Sequence, residues 1–508
     1  MSTIRQTAKK RPWLLWVLFA LTVLVVFILG LLSTSIMERR VETLYIDRPK
    51  IEIAPFEPRG EIWGKNYPNQ YDSWKSTEDT SFMSKYNGNV NIDMLERYPS
   101  LVILWAGYGF SKDYNQSKGH MYAIKDLMHS LRTGAPKTPD AGPMPSTCWA
   151  CKSPDVPRLM SEVGPREFYS GKWAKYGGEQ VNPVGCADCH DEKTMDLKIT
   201  RPALIEAFER RGEDITKATH QQMRSLVCAQ CHVEYYFNKK KPAEGVPYLT
   251  LPWDNGITVE AMEEYYNNIE FSDWTHQLSK APMLKAQHPG YELYSQVIHA
   301  QRGVSCADCH MPYRSEGGVK YTDHKIQSPL NNISNSCVVC HRESEAVLRK
   351  SVYDNMDRVV EARSILEHLL VKLHIEAEFA WKKGAMKEQM KDILMDIRRG
   401  QWRWDYAAAS HGGAFHAPVE ALRVISTGIS IAQDGRLKLA RVLSDLGYNE
   451  VVPLPDVSTK AKAQAYIGLD MAKLNAEKLD FIENILPQWL EKGKQRESAY
   501  TTKSVTGS

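Results

Sequence analysis

The sequence lacks a strong excess of either charge, and every cysteine in it belongs to a close pair. The formal net charge is only +3 over 508 residues, and no basic stripe interleaved with aromatic side chains is present. The composition therefore argues against a nucleic-acid-binding or polybasic membrane surface. Low-complexity linkers and alternating strand patterns are also scarce. With 43% hydrophobic residues the chain can bury a sizeable core, and we expect a mainly α fold with little β structure.

One long apolar run lies near the N-terminus. Residues 13–32 carry no charge and follow the basic residues Arg5, Lys9, Lys10 and Arg11. A bilayer core requires about 20 apolar residues, and positive charge stays on the cytoplasmic side. We therefore predict a membrane anchor over residues 1–38 and one catalytic domain over 39–508, outside the cytoplasm. The small residues 33–35 leave a cleaved signal peptide open as the alternative.

The remaining chain divides by pattern. A stretch at 46–74 is rich in proline and glycine and predicts extended chain. Every cysteine lies within about 100–342, and from about 343 to 495 apolar residues recur at spacings of three and four, which predicts long amphipathic helices. We expect one long helix from about 343, and further helices at about 386–409, 417–446 and 459–492.

The ten cysteines form five Cys-x-x-Cys pairs, and four of the pairs are followed directly by histidine. The pairs are Cys148/Cys151, Cys186/Cys189, Cys228/Cys231, Cys306/Cys309 and Cys337/Cys340, and the histidines are His190, His232, His310 and His341. Cys-x-x-Cys-His is the attachment signature of c-type haem, in which the histidine binds the iron from the proximal side. Disulfides, zinc sites and thioredoxin-like pairs also use Cys-x-x-Cys, but none of them requires the histidines. We predict five covalent haems that supply much of the core.

Lys152 follows the first pair where the other four have histidine. An amine binds iron only when deprotonated, against a reference pKa near 10.4, so the metal must displace a proton. Lys152 either ligates an unusual iron or points to solvent while a distant histidine ligates. On either interpretation this haem differs from the others and is the expected reaction site.

Several motifs in order along the chain carry a more specific resemblance. The segments "CWACK", "CAQCHVEYYF", "KAPMLKAQHPGYE", "CADCHMP", "YTDHKI" and "WRWDYAAASHGGAFHAPVE" resemble those of the pentahaem cytochrome c nitrite reductases, which form ammonia. The resemblance runs from about residue 63 to the C-terminal helices. It implies that Lys152 binds the first iron and leaves the opposite face open for substrate.

The resemblance also implies residue roles. Arg132, Tyr235 and His288 match the family's catalytic residues, with Arg132 binding the anion and the other two donating protons. His324, His120, His416 and His299 match the distal ligands of the second to fifth haems, with His411 the alternative to His416. Glu234 and Gln287, by their side chains, and Tyr235 and Lys285, by their carbonyls, match a calcium site.

The implied activity is the six-electron reduction of nitrite to ammonium, with electrons passed through four bis-histidine haems. The resemblance further implies a quinol-oxidising membrane cytochrome as donor, a homodimer formed through the long helices, and a location on the periplasmic side of the inner membrane. Two alternatives stay open at this point: a multihaem electron-transfer protein, and a related reductase of hydroxylamine, sulfite or tetrathionate.

Overall fold

The structure is a computed structural model that describes residues 11–46, 49–240, 244–498 and 503–504. The first helix spans Trp13–Ile46, beyond the predicted boundary at residue 38. Its apolar part, Trp13–Met37, has a mean hydropathy of 3.0, and none of its most apolar stretch is buried against the protein. These features fit a membrane anchor and also fit a signal sequence. Arg5, Lys9 and Lys10 of the predicted basic flank lie outside the described residues.

The part of the chain that carries the cysteines is built from short helices. After the apolar helix, the α-helices are Gly60–Gly64, Pro68–Lys75, Met94–Arg97, Ser100–Leu104, Ala123–His129, Asp155–Val163, Pro165–Tyr169, Cys186–Cys189, Pro202–Arg210, His220–Ala229, Val259–Asn268, Gly290–Ser295, Ile298–Gln301 and Cys306–His310. Single 3₁₀ turns are Ser76–Glu78, Gly109–Ser111, His120–Tyr122, Leu131–Thr133, Ser146–Trp149, Trp173–Tyr176, Ile215–Lys217 and Pro329–Asn331.

The C-terminal part is made of long helices, as predicted. They are Glu345–Lys382, Lys387–Ala409 and Pro418–Asp445, with the short helix Gly413–His416 between the last two. The three long helices pack together, and two glycines permit a close crossing: a Cβ on Gly400 would lie 3.6 Å from the carbonyl oxygen of Gly428. Shorter helices follow at Lys460–Tyr466, Met471–Asp480 and Leu486–Ser498, with a π-helical turn at Phe481–Ile485.

Strands are few and short within the described residues. Four antiparallel pairs are formed: Ile51–Glu52 with Lys503–Ser504, Tyr236–Asn238 with Tyr248–Thr250, Trp274–Thr275 with Pro282–Met283, and Tyr313–Glu316 with Val319–Thr322. Each pair is an isolated two-stranded ribbon. The prediction of a mainly α fold with little β structure is therefore confirmed.

One local prediction is wrong, and a second stretch is divided in a way that was not predicted. The stretch at 46–74 was expected to be extended, yet it contains the helix Gly60–Gly64 and the start of Pro68–Lys75, where Pro68 takes a first-turn position that needs no amide donor. The helical stretch predicted at 459–492 is helical but is divided into separate helices. Gly468 has φ +74°, and the Asp470 side chain then caps a new helix by accepting from the amide of Lys473.

Two large clusters of buried side chains flank the cysteine segments. One gathers residues from 124 to 293, together with Trp402 and Phe481 from the C-terminal part. The other packs residues 95–106 against the three long helices. Helices far along the chain therefore form the walls against which the cysteine segments are placed.

Candidate active site

The histidines predicted as paired ligands lie opposite one another across a nearly constant gap. The ring centroids of His120 and His232 are 6.3 Å apart, those of His190 and His324 6.2 Å, those of His299 and His341 6.3 Å, and those of His310 and His416 6.1 Å. With metal–nitrogen bonds of about 2.0 Å on either side, two imidazoles that ligate one metal have centroids about 6 Å apart. The four gaps therefore fit bis-histidine haems.

The hydrogen bonds of several of these rings also suit ligation. In three of them, Nδ1 lies close to a backbone carbonyl oxygen. The distances are 2.8 Å from His190 to Met195, 2.8 Å from His310 to Gln327 and 2.7 Å from His324 to Thr322. A carbonyl oxygen only accepts, so Nδ1 carries the proton and Nε2 keeps its lone pair for a metal. The residues present therefore fit the haems that the motifs predict.

The other histidines have different surroundings. His276 and His374 are fully buried and stack with centroids 3.7 Å apart, and both ring nitrogens of each have protein partners. His129, His220 and His368 are exposed. These five rings do not face a predicted proximal ligand.

His411 is placed beside His288 rather than beside the fourth motif. The rings of His288 and His411 are nearly parallel with centroids 5.9 Å apart, whereas His416 faces His310. His288 itself lies 6.4 Å from His232, a gap similar to that of the ligand pairs, so centroid spacing alone does not assign a ligand. The geometry favours His416 over His411 for the fourth haem.

The five cysteine pairs form a connected series in space. Cys151 of the first pair lies close to Cys231 of the third, and Cys228 of the third lies close to Cys306 of the fourth, because the thiols of each couple shift one another's pKa. Cys189 of the second pair interacts electrostatically with Cys228, and Cys309 interacts with both cysteines of the fifth pair. The first, third, fourth and fifth sites therefore follow one another, and the second lies beside the third.

Cys340 differs from the other cysteines in its exposure. The other nine cysteines are partly buried, whereas Cys340 is exposed. The reason is the position of the fifth motif: Cys337 packs on a small buried cluster around Ile333, but residues 338–347 are all exposed and connect this cluster to the next long helix. The motif spacing predicts attachment chemistry and carries no signal for burial. The fifth site therefore lies at the protein surface, and haem attachment at Cys340 stays a prediction.

Three polar side chains converge on the first pair and on Lys152. The positive charges of Lys152 and Arg132 act on the Cys148 thiol, whose pKa burial nevertheless raises. Burial also raises the pKa of Tyr235 well above its usual value, with further contributions from Cys151 and Cys148, so the phenol stays protonated. Burial lowers the pKa of His288 well below its usual value, and His411 and Lys152 add to the effect. Arg132, Tyr235 and His288 therefore surround the first site.

Arg132 is held so that the end of its side chain stays available. Its backbone amide and its Nε both donate to the Ser130 hydroxyl at 3.2 Å, and its guanidinium carbon lies 4.2 Å from the centroid of the Phe110 ring. Within the described ranges, its terminal amino groups have no carboxylate or hydrogen-bond partner. A half-buried guanidinium with free donors is suited to bind an anion.

The predicted calcium ligands also lie together. Glu234 is buried, and its carboxylate accepts from the amide of Gln287 at 2.6 Å and from the hydroxyl of Tyr266 at 2.9 Å. The Gln287 side chain donates to the carbonyl oxygen of Lys285 at 3.1 Å. Among the described residues no group of three or more His, Cys, Asp and Glu side chains could hold a metal ion. A cation here would rely on a single carboxylate, with amide and carbonyl oxygens as the other ligands.

Two supporting contacts were not predicted. The side chain of Gln287 lies close to the buried Tyr108 and opposes the rise that burial causes in the pKa of its phenol. The ammonium of Lys285 forms an ion pair of 3.0 Å with Asp405, and both side chains are almost fully buried. Asp405 lies within the "WRWDY" segment, but no local pattern pairs it with a lysine 120 positions earlier.

Comparison with known proteins gives consistent matches. The cytochrome c552 family model matches residues 60–499. Curated proteins named cytochrome c-552 from Parabacteroides distasonis and Bacteroides fragilis are each 57% identical, over 96% of this chain and 98% of the relative. The solved cytochrome c nitrite reductase of Desulfovibrio desulfuricans, described with two calcium sites in its catalytic subunit, has a TM-score of 0.73 at 30% identity, covering 83% of this chain and 91% of that chain.

Proposed function

The chain belongs to the cytochrome c552 family, and from this membership we propose that it is a multihaem cytochrome c nitrite reductase that forms ammonium. The observation that carries the proposal is the environment of the first cysteine pair. Arg132, Tyr235 and His288 converge there, next to the one motif in which lysine replaces histidine. A protein that only carried electrons would need no such group of polar side chains beside one haem site.

We propose that Cys148/Cys151, Cys186/Cys189, Cys228/Cys231, Cys306/Cys309 and Cys337/Cys340 each hold one haem. Lys152 would ligate the first iron, and the pairs His190/His324, His232/His120, His310/His416 and His341/His299 would ligate the others. When bound, the first haem supplies an iron that accepts substrate, and the other four supply a path for electrons. The proposed path follows the spatial series of cysteine pairs.

Of the three side chains near the first site, Arg132 would supply positive charge, and Tyr235 and His288 would supply protons. Nitrite is an anion, and the free guanidinium donors of Arg132 suit its two oxygens. Reduction to ammonium consumes protons as well as electrons, so donors are needed beside the substrate. Tyr235 stays protonated because burial raises the pKa of its phenol. The ring nitrogens of His288 have no hydrogen-bond partner within the described protein, so this imidazole is free to pass a proton.

We further propose that Glu234, Gln287 and the carbonyls of Tyr235 and Lys285 bind calcium. A cation there would fix the segment 285–288 and thereby the position of His288. Three further proposals rest on the resemblance: a quinol-oxidising membrane cytochrome as donor, a homodimer through the long helices, and an anchored location at the periplasmic face of the inner membrane. The exposed apolar helix Trp13–Met37 supports the anchor.

The test is an assay of nitrite reduction with ammonium quantified, in protein whose covalent haem has been counted by pyridine haemochrome. We expect five haems and ammonium as the product. Arg132→Ala should slow nitrite turnover far more than hydroxylamine turnover, because hydroxylamine is neutral near pH 7. A loss of even about 1.4 kcal/mol of binding free energy to the anion corresponds to a tenfold change in rate. The control is Arg211→Ala, because Arg211 is partly exposed and is paired with Glu213. Haem-replete protein that forms no ammonium would refute the proposal.

A further inference from the structure

Lys478 is a buried cation behind the turn that carries Arg132. It lies in the helix Met471–Asp480 and is 4% exposed. Its ammonium donates to the carbonyl oxygen of Gly134 at 2.7 Å and to the hydroxyl of Thr133 at 3.1 Å. Within the described ranges it forms no ion pair. Rings of Trp173 and Phe481 cover it, with centroids 5.8 and 4.8 Å from Nζ.

The turn held by Lys478 is fixed at several points. The hydroxyl of Thr133 donates to the carbonyl oxygen of Leu127 at 2.9 Å, and its own carbonyl oxygen accepts from the indole of Trp173 at 2.9 Å. On the other side of the turn, the amide of Leu131 donates to the carboxylate of Asp113 at 3.0 Å. Arg132 lies between these fixed points, so movement of the turn would displace its guanidinium.

We propose that Lys478 is a positioning residue for Arg132 and a second cation of the anion-binding site. Its ammonium fixes the carbonyl end of the turn and adds positive potential on the side from which Arg132 reaches the substrate. The proposal rests on the proposed function, since it assumes that Arg132 binds an anion.

The physical cost of this lysine supports a functional reason for it. Burial of an unpaired ammonium is unfavourable, and a methionine would fill a similar volume against Trp173 and Phe481. Burial lowers the pKa of Lys478 to about 7, with Asp113 opposing the shift. Other charged groups near this part of the helix are Arg132, the exposed pair Lys137–Asp480 and the exposed pair Lys473–Glu477. Below a pH of about 7, a positive charge is therefore kept beside Arg132 at the expense of stability.

The experiment compares Lys478→Met, Lys478→Gln and Lys478→Arg with wild type, and Lys473→Met is the matched control. Lys473 lies in the same helix with its side chain 70% exposed. For Lys478→Met we expect the KM for nitrite to rise about tenfold with a smaller change in kcat, and the KM for hydroxylamine to stay within about twofold. Lys478→Gln keeps a hydrogen-bond donor without the charge, so its KM for nitrite should lie between those of Lys478→Met and wild type. Lys478→Arg should restore a low KM for nitrite, and Lys473→Met should match wild type.

The pH dependence of the KM for nitrite is an independent test of the proposal. Lys478 is charged below a pH of about 7 and neutral above it, so the KM for nitrite in wild type should rise as the pH passes from 6 to 8. An arginine stays charged throughout, so Lys478→Arg should show a flatter profile.

Haem content and the midpoint of thermal unfolding check that each variant is folded. If Lys478→Met destabilises the fold, direct titration of nitrite binding to Lys478→Gln still decides. If wild type reduces nitrite, but the variants lose activity towards nitrite and hydroxylamine equally and with unchanged KM, then Lys478 has a structural role only. That result would overturn the inference. Wild type without nitrite reduction would instead overturn the proposed function.

Discussion

The buried ion pair between Lys285 and Asp405 gives a prediction that joins stability to the site. The two side chains are 4% and 0% exposed, and the distance from Nζ to Oδ1 is 3.0 Å. Asp405→Asn would leave the ammonium without its paired carboxylate, while the carbonyl oxygen of Ala286 still accepts from it at 2.7 Å and the Trp105 and Phe110 rings lie about it. Breaking one partner of a buried pair costs about 3–5 kcal/mol.

The expected change in unfolding temperature follows from the size of the domain. Unfolding entropy is about 2.1 cal/mol/K per residue, so roughly 470 residues give about 1 kcal/mol per degree. Asp405→Asn and Lys285→Met should each lower the midpoint by about 3–5 °C. The double variant Lys285→Met/Asp405→Asn removes both charges and should recover to within about 2 °C of wild type, because a neutral pair of similar volume avoids the unpaired charge.

The assay is circular dichroism of haem-replete protein at one fixed scan rate, because unfolding of a large cofactor-bearing protein is often irreversible. Asp354→Asn, which breaks the exposed pair Lys350–Asp354, is the control and should change the midpoint by less than about 1 °C. Nitrite turnover of Asp405→Asn should also fall, since Lys285 begins the segment that carries His288. If the midpoint of the double variant falls by the sum of the two single decreases, the charges are not coupled. That result would refute the reasoning.

Two further predictions concern the proposed metal ligands. Lys152→His should still attach haem but reduce nitrite more slowly, because imidazole would replace a primary amine as the proposed ligand of the first haem iron. Haem-normalised turnover is the measurement, and an unchanged rate would make the lysine incidental. Glu234→Ala should lower bound calcium and activity without loss of haem, as measured by metal analysis beside the exposed control Glu264→Ala. Full activity of wild type in chelator, with no calcium found, would contradict the site.

The fold class could be predicted because its signals are local. Apolar spacing marked the helices Glu345–Lys382, Lys387–Ala409 and Pro418–Asp445 to within a few residues, since a helical face is set by neighbours three and four positions away. The differences from these predictions arose where a single residue changes the local backbone. Pro68 starts a helix inside a stretch that resembled extended chain, and Gly468 ends one inside a continuous apolar pattern.

The candidate site divides in the same way. The cysteine pairs and their following histidines are contiguous motifs and could be recognised directly, although the exposure of Cys340 could not. Arg132, Tyr235 and His288 could be singled out only through the family resemblance, because each is an ordinary residue in its local sequence. Lys478 could not be found from sequence at all: it contacts a hydroxyl 345 positions earlier in the chain, and no periodicity or motif reports such a contact.

These distant contacts give the C-terminal helices a second role besides packing. The turn that carries Arg132 is fixed by Lys478 from the helix Met471–Asp480, and the segment that carries His288 is fixed by Asp405 from the helix Lys387–Ala409. All cysteines, however, precede residue 342. Haem attachment therefore depends on one part of the chain, whereas the placement of the proposed catalytic side chains also depends on the other. Loosening of either C-terminal helix would displace Arg132 or His288 while leaving the covalent attachment of every haem intact.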